Sequence, residues 1–190
     1  GQRALGIAIK DMVEGKCANN HGDFYTYPVM LALRQFQKIL PVDQIENWMK
    51  QMAKVDPARI YRMFDSAKNN WSVVNAAGEF LRSLKGLTSL AYTDRILAKQ
   101  QSCFTIQGLY QEEGNPFAYD AFCRYFVSGL LHYGYRGPLF SWYRDVTWKG
   151  AWTSLMIQSP FGELPMCFRS SQHLWNEAEL ACVYEVYASA

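Results

Sequence analysis

The helical character of the chain is clearest in residues 69–85, which read NNWSVVNAAGEFLRSLK. Apolar side chains recur in this stretch at spacings of three and four, which places them on one face of a helix. They are Trp71, Val74, Ala77, Phe80, Leu81 and Leu84. Gly86 follows and is a typical helix end, because glycine readily adopts the left-handed conformation found there. We therefore predict a helix over 69–85 that packs through this face.

Similar patterns continue on both sides of this stretch. Pro28 suits the first turn of a helix, Pro41 ends that helix, and Asp43 is a candidate N-cap for the next one. The irregular residues 103–118 interrupt the series with two glycines and a proline. We predict further helices over residues 28–40, 43–54, 56 to about 64, 88–102, 118–133, 139–158 and from about Leu174 onward.

Helices joined by short turns at intervals of roughly 40 residues favour stacked antiparallel helical hairpins. No sequence repeat accompanies them, so a closed ring of hairpins fits better than an open array. We therefore predict an all-α fold in which antiparallel helical hairpins form part of an (α/α)n toroid, with few strands and a small loop or hairpin insertion near 159–172. One helical domain is expected over residues 1–190, and its apolar end leads us to expect further chain beyond it.

The composition is that of a globular protein rich in aromatic residues. Hydrophobic residues make up 49% and charged residues 19%, and the 12 Tyr, 11 Phe and 6 Trp can fill a core or stack on sugar rings. The net charge of +2 is spread without a basic run, so no nucleic-acid partner is expected. No apolar run reaches the roughly 18–20 residues of a membrane span and no signal peptide is recognised, so no membrane insertion is expected.

The cysteines do not form a recognisable framework. They are odd in number and show no Cys-x-x-Cys spacing, which argues against disulfides and against a zinc site. We expect reduced core thiols at Cys17, Cys103, Cys123, Cys167 and Cys182. Neither a Gly-rich phosphate loop nor a nucleophile elbow is present, and no cofactor or metal is expected.

Two polar clusters lie at or just before the starts of predicted helices in the first half of the chain. The first contains Asn19, Asn20, His21, Asp23, Phe24 and Tyr25, and the second contains Asn69, Asn70 and Trp71. Asn and Asp are common caps and turn formers, so helix capping alone can explain either group. Adjacent amides and aromatic rings at a helix end also suit a sugar, which needs both hydrogen bonds and a stacking surface.

Two further clusters lie in the second half. The third contains Asn115, Phe117, Tyr119, Asp120 and Arg124, and the fourth contains Arg169, Ser170, Ser171, Gln172, His173, Trp175, Asn176 and Glu177. Asp120 and Arg124 are four residues apart and can simply pair on a helix. The fourth cluster is the strongest indication of a site, because nearly every side chain in it can form hydrogen bonds. His132 lies near the predicted C-terminal end of a helix, where a histidine interacts favourably with the helix dipole.

One motif resembles a known family. Asn20-His21, within NNHGDFY, is similar to the Asn-Asn-His motif of α/α-toroid polysaccharide lyases of the alginate lyase and heparinase type. The stretches NPFAYDAFCRYF (115–126) and RSSQHLWNEA (169–178) look like toroid helices from a wider set of bacterial carbohydrate-active proteins. The resemblance implies β-elimination on a uronate-containing polysaccharide, without a cofactor, and a secreted or periplasmic location.

The family's chemistry assigns roles to residues of this chain. An Asn and a His neutralise the uronate carboxylate, and a Tyr, sometimes with a His, transfers the protons. Asn20 and His21 match the neutralising pair, while Tyr119 and His173 are the candidates for proton transfer, with Tyr25 and Tyr125 as alternatives. The remaining candidates are expected to bind substrate: Asp23, Tyr25, Asn69, Asn70, Trp71, Arg124, Arg169, Gln172 and Asn176.

Two alternatives remain open. A glycoside hydrolase needs two carboxylates across a cleft, at about 5–5.5 Å or about 6.5–9.5 Å, and Asp23, Asp120 and Glu177 are the candidates. A non-catalytic glycan-binding domain would use the same clusters for binding or capping only. The fold alone does not choose among these functions.

Overall fold

A computed structural model describes residues 1–65, 69–115, 117–165 and 174–188, apart from the side chains of Asn20 and Leu174. These residues are mainly helical, with an isolated antiparallel bridge between Phe104 and Tyr110 in place of a sheet. The all-α prediction is confirmed. The α-helices are α1 (Gln2–Glu14), α2 (Thr26–Phe36), α3 (Val42–Met52), α4 (Pro57–Ile60), α5 (Asn70–Ser83), α6 (Ala91–Gln100), α7 (Ala118–His132), α8 (Phe140–Ile157) and α9 (Leu174–Ala188).

Helix α5 lies at the centre of the fold. Residues 72–82 are all buried, and the helix packs against α2, α6 and α7. Gly78 permits the contact with α2, since a Cβ there would lie 2.8 Å from Cβ of Thr26. The predicted inward face is wrong at Leu84, which is exposed because it follows the last turn of the helix. Gly86 has a positive φ of 68° and stands just beyond the helix, as predicted.

A polar network crosses the core beside α5. Arg82 Nη1 donates to both carboxylate oxygens of Glu79, at 2.8 and 3.0 Å. Arg82 Nη2 donates to the carbonyls of Met52 and Val55, both at 3.0 Å, and so satisfies the end of α3. The Tyr61 hydroxyl donates to Glu79 Oε1 at 2.6 Å, and its burial, followed by the charge of Glu79, raises its pKa well above the ordinary value.

The N-terminal helices correct several predictions. No helix is predicted before residue 28, yet α1 buries Leu5, Ile9 and Met12 against α2 and α3. Asp43 is not an N-cap, because α3 begins at Val42 without a side-chain cap. Helix α4 is capped by Asp56, whose Oδ1 accepts from the backbone N–H of Ala58 at 3.0 Å, and it ends at residue 60 rather than at about 64 as predicted.

Helices α7, α8 and α9 form a layer on the other side of the molecule. Helix α9 packs on α7 and α8, with Ala151, Leu180 and Val183 buried between them. The segment before α7 lies against α8, since a Cβ on Gly150 would stand 2.2 Å from the carbonyl oxygen of Gly108. None of the helices within the described ranges is long and apolar enough to cross a membrane. Residues 166–172 of the predicted insertion lie outside those ranges.

The cysteines differ from one another in burial. Cys17, Cys103 and Cys123 are free and buried, as expected for core thiols. Cys182 is free but exposed on α9, so the core prediction is wrong there. Cys167 lies outside the described residues.

Candidate functional site

Aromatic side chains from four separate segments converge beside the N-terminal ends of α5, α7 and α9. We call this cluster the aromatic surface. Its neighbouring ring centroids lie between 4.6 Å, for His21 and Trp71, and 6.4 Å, for Tyr119 and Phe122. Its members are His21, Phe24, Trp71, Tyr119, Phe122 and Trp175. The structure thus brings together members of all four clusters that the sequence singles out.

The rim of the aromatic surface is open to solvent. Phe24 exposes 36% and Trp175 exposes 37% of its surface, while Trp71, which packs against Phe24, is half-buried. The exposed Arg62 holds its guanidinium 5.7 Å from the centroid of the Trp71 ring. A positive charge therefore stands at the edge of an accessible aromatic patch.

His21 has an unusual position within this surface. Its ring packs edge-on against Trp71 and lies 6.0 Å from that of Phe24. Nδ1 of His21 is buried and has no hydrogen-bond partner among the described residues. A buried polar atom without a partner costs free energy, and His21 shares this property with other buried side chains such as Asn75 and Gln100.

The loop that carries His21 is fixed by Asp23. The Asp23 side chain is fully buried and accepts backbone N–H bonds from Arg62 at 3.0 Å and Met63 at 3.2 Å. It also accepts from Asn75 Nδ2 at 2.9 Å, which ties the loop to α5. Gly22 stands so close to Ile60 that a Cβ would lie 2.4 Å from its carbonyl oxygen. Asp23 therefore anchors the site, and its hydrogen-bonding capacity is used within the protein.

The amides at the start of α5 are engaged in capping. Asn69 is the N-cap, and its Oδ1 accepts from the backbone N–H of Ser72 at 3.0 Å. Asn70 donates its backbone N–H and its Nδ2 to the carboxylate of Glu112, at 2.7 and 2.9 Å. Both arrangements match the capping explanation that the sequence leaves open. Trp71 is the member of this cluster that reaches the aromatic surface.

In the third cluster, too, some residues have a structural role and another reaches the aromatic surface. Arg124 is buried and donates from Nε to Asp120 Oδ1 at 2.9 Å and from Nη2 to Asp120 Oδ2. Asp120 Oδ1 also accepts the backbone N–H of Tyr110 at 2.6 Å, and Arg124 reaches Ser154 Oγ. This pair holds the segment before α7 in place, and it lies in the interior rather than on the surface as the spacing alone allows. Tyr119, one residue earlier, belongs to the aromatic surface.

Other candidates are more scattered. The Tyr25 hydroxyl accepts a bond from the backbone N–H of Ala18 at 3.3 Å, which closes the loop on itself. Asn176 is buried, with Oδ1 unpartnered within the described part of the chain, and Glu177 is exposed on α9. Arg169, Gln172 and His173 lie outside the described residues, as does the side chain of Asn20.

Sequence reasoning passes over two members of this site. Phe122 links Phe24 to Trp175 at the centre of the aromatic surface, and its spacing of three from Tyr119 is a signal that the two share a helix face. Arg62 carries no local signal, because only the fold places it over Trp71. Phe24 and Trp175 stand in the polar clusters but are not among the residues predicted to bind.

One carboxyl group near the site has a perturbed pKa. Glu179 of α9 is partly buried, and burial raises its pKa to about 8. Its Oε2 has no hydrogen-bond partner in the ranges that the structure describes. The neutral, protonated form of Glu179 is thus favoured at pH values below about 8.

No group of three or more His, Cys, Asp or Glu side chains within the described residues is placed to hold a metal ion. Comparisons with family models, with curated proteins and with solved structures find no match to this chain. The function is therefore inferred from the site itself.

Proposed function

We propose that the protein binds an acidic saccharide on the aromatic surface. Sugar rings stack against Trp71, Phe24 and Trp175, and a uronate carboxylate pairs with Arg62. The observation that carries the proposal is the convergence of aromatic side chains from four segments around a solvent-open rim with a cation at its edge.

The stacking part of the proposal is supported by the exposure of large rings. Phe24 and Trp175 keep more than a third of their surface in water although apolar neighbours surround them. The C–H face of a pyranose ring is apolar and flat, so it covers such rings and removes their surface from water.

The preference for an acidic sugar is supported by Arg62. Its side chain is exposed and lies over Trp71, so a carboxylate on a stacked sugar comes within reach of a guanidinium. Guanidinium groups form paired, charge-assisted hydrogen bonds with carboxylates. A neutral sugar would stack without this contribution.

Cleavage by β-elimination is a second candidate function. His21 and Tyr119, which the lyase resemblance selects, both belong to the aromatic surface. In this mechanism His21 with Asn20 neutralises the carboxylate, and Tyr119 or His173 transfers the protons. Hydrolysis receives less support, because Asp23 and Asp120 are buried in internal hydrogen bonds.

The proposal includes the toroid arrangement of the helices. Helix α5, packed between α2, α6 and α7, would be an inner helix, and the helices that follow would continue the ring. Closure of the ring stays a prediction.

Calorimetric titration with oligouronates and with neutral oligosaccharides of equal length tests binding, and ultraviolet absorbance of unsaturated uronate tests cleavage. We expect the oligouronates to bind more tightly and Trp71→Ala to abolish binding. The matched control is Trp152→Ala, which changes an exposed tryptophan on α8. Absorbance that disappears in His21→Ala would establish the lyase. Saccharide binding without any absorbance of unsaturated uronate would indicate a binding module. No binding to any saccharide would reject both the binding proposal and the lyase proposal.

A further inference from the structure

A second concave region lies at the opposite end of α7 and α9 from the aromatic surface. A cavity of about 620 Å³ opens between the end of α7, the start of α8 and the end of α9. A smaller cavity of about 350 Å³ follows α8 and α9. Trp148 and Tyr187, whose ring centroids lie 5.3 Å apart, line both cavities, so the two cavities are adjacent, and we call them together the α8–α9 groove.

One arm of the groove is basic. The guanidinium groups of Arg136 and Arg144 lie over the same Phe140 ring, 4.3 and 5.9 Å from its centroid. Arg136 Nη1 donates to its neighbour's carbonyl, that of Tyr135, at 2.7 Å, and its exposed guanidinium donates no other hydrogen bond within the part of the chain that the structure describes. Arg144 pairs with Asp145 at 2.9 Å, so two arginines and one aspartate leave this arm with a net charge of +1. Two like charges around one ring repel, and a bound anion relieves that repulsion.

The other arm is apolar. Trp148, Trp152 and Leu155 share one face of α8 at spacings of four and three. Their side chains remain 43%, 50% and 50% exposed, beside Tyr184 and Tyr187 of α9. Covering this surface removes apolar area from water, which favours an aliphatic ligand.

We propose that the α8–α9 groove binds a single-chain amphiphilic anion, such as a fatty acid. Its carboxylate pairs with Arg136 and Arg144, and its alkyl chain lies along Trp148, Trp152 and Leu155. The charge at one end and the apolar surface at the other select this class, because a neutral lipid leaves the arginines unused and a polyanion leaves the apolar arm uncovered. Both cavities fall within the roughly 300–1,000 Å³ range of small-molecule sites.

The test is a titration of the protein with dodecanoate below the concentration at which it forms micelles. Decanoate and octanoate vary the chain, and dodecanol and dodecyltrimethylammonium vary the head group. We expect affinity to rise roughly threefold to fourfold with each methylene. We expect dodecanoate to bind about tenfold more tightly than dodecanol, and dodecyltrimethylammonium to bind weakest.

Variants test which part of the ligand each arm of the groove binds. Arg136→Gln with Arg144→Gln should weaken dodecanoate about tenfold and leave dodecanol nearly unchanged. Trp152→Ser should flatten the dependence on chain length. The matched control is Arg95→Gln, which removes an exposed arginine that lies over Tyr92 on another face, and it should bind dodecanoate like the wild type.

Several results would overturn this assignment. Equal binding of dodecanoate and dodecanol by the wild type would remove the role of the arginines, and this comparison does not depend on any variant folding. Binding to vesicles of anionic phospholipid but not to monomeric dodecanoate would identify a membrane surface instead. Association of the chain with itself that Trp152→Ser abolishes, without dodecanoate binding, would identify a second copy as the occupant.

Discussion

The imidazole of His21 stands edge-on to the indole of Trp71, with the ring centroids 4.6 Å apart. Edge-to-face ring pairs of this kind stabilise a contact beyond the area that they bury. Arg62 contacts this part of the molecule in two ways. Its backbone N–H donates to Asp23, and its guanidinium lies over the Trp71 ring. The position of His21 and the position of the nearby cation therefore depend on one anchored loop.

Replacing Trp71 with alanine should abolish saccharide binding. The stacking surface loses one of its rings, and His21 loses its packing partner, so we expect the affinity to fall below the range that calorimetry detects. Removal of a half-buried indole should also lower the free energy of unfolding by roughly 2 kcal/mol. Calorimetric titration and urea unfolding measure the two effects. Trp71→Phe keeps an aromatic face and should retain most of the affinity; equal affinity in Trp71→Ala and the wild type would place the site elsewhere.

Arg62→Gln should remove the preference for acidic sugars. The backbone N–H that binds Asp23 remains, so the fold should be preserved. We expect oligouronate affinity to fall about fivefold to tenfold and neutral-sugar affinity to change little. Arg34→Gln is the control, because Arg34 is also exposed over a tyrosine ring, that of Tyr133. A similar loss for neutral and acidic sugars would show that Arg62 acts through structure and not through charge.

Asp23→Ala should destabilise the protein and not merely inactivate it. The change leaves the backbone N–H groups of Arg62 and Met63 and the amide of Asn75 without their acceptor. We expect a loss of about 2–4 kcal/mol in urea unfolding. Asp43→Ala, an exposed acid that caps no helix, should cost less than about 1 kcal/mol. Unchanged stability together with lost turnover would instead assign Asp23 a catalytic role.

Glu79→Gln should be among the most destabilising substitutions of a polar residue. It leaves the buried Arg82 with an unbalanced charge and weakens the bond to Tyr61. Breaking a buried ion pair costs about 3–5 kcal/mol. Glu46→Gln on the exposed face of α3 is the control. In a double-mutant cycle with Arg82→Met the two losses should not add, and strict additivity would contradict the pairing.

Stability should fall as pH rises because of Glu179. Burial raises its pKa to about 8, above the 4.5 of an exposed glutamate, so the folded protein holds a proton that the unfolded chain releases. This contribution is present below about pH 4.5 and is lost as pH rises to about 8. We expect a decrease on the order of 1–2 kcal/mol, because the side chain is only partly buried and solvent screens it. Urea unfolding across this range should show the decrease in the wild type and in Glu177→Gln, and a flatter profile in Glu179→Gln.

The sequence predicts the helices best where their signals are local. The bounds of α5, α7 and α8 agree with prediction within two residues, since apolar periodicity and turn residues such as Gly86 mark them. The prediction passes over helix α1 although Leu5, Ile9 and Met12 recur at spacings of four and three, so a local signal for this helix is present in the sequence. The central place of α5 depends on contacts with three other helices, which periodicity does not specify.

For the site, the sequence predicts which types of residue take part but not how they are arranged. His21, Trp71 and Tyr119 are selected as aromatic or polar residues at helix ends, and the fold brings them to one surface. The hydrogen-bond partners of these side chains cannot be predicted from the sequence. Asp23 binds Arg62 and Asn75, which are 39 and 52 residues away, so its structural role has no local signature.

Binding of an acidic saccharide at the aromatic surface should be visible in the indole N–H resonances of the six tryptophans. In a ¹H–¹⁵N titration with an oligouronate, each tryptophan reports on its own part of the molecule. The account predicts that the resonances of Trp71 and Trp175 shift and saturate together, while those of Trp148 and Trp152 on α8 stay in place. Shifts confined to Trp148 and Trp152, or no shift in any of the six, would contradict it.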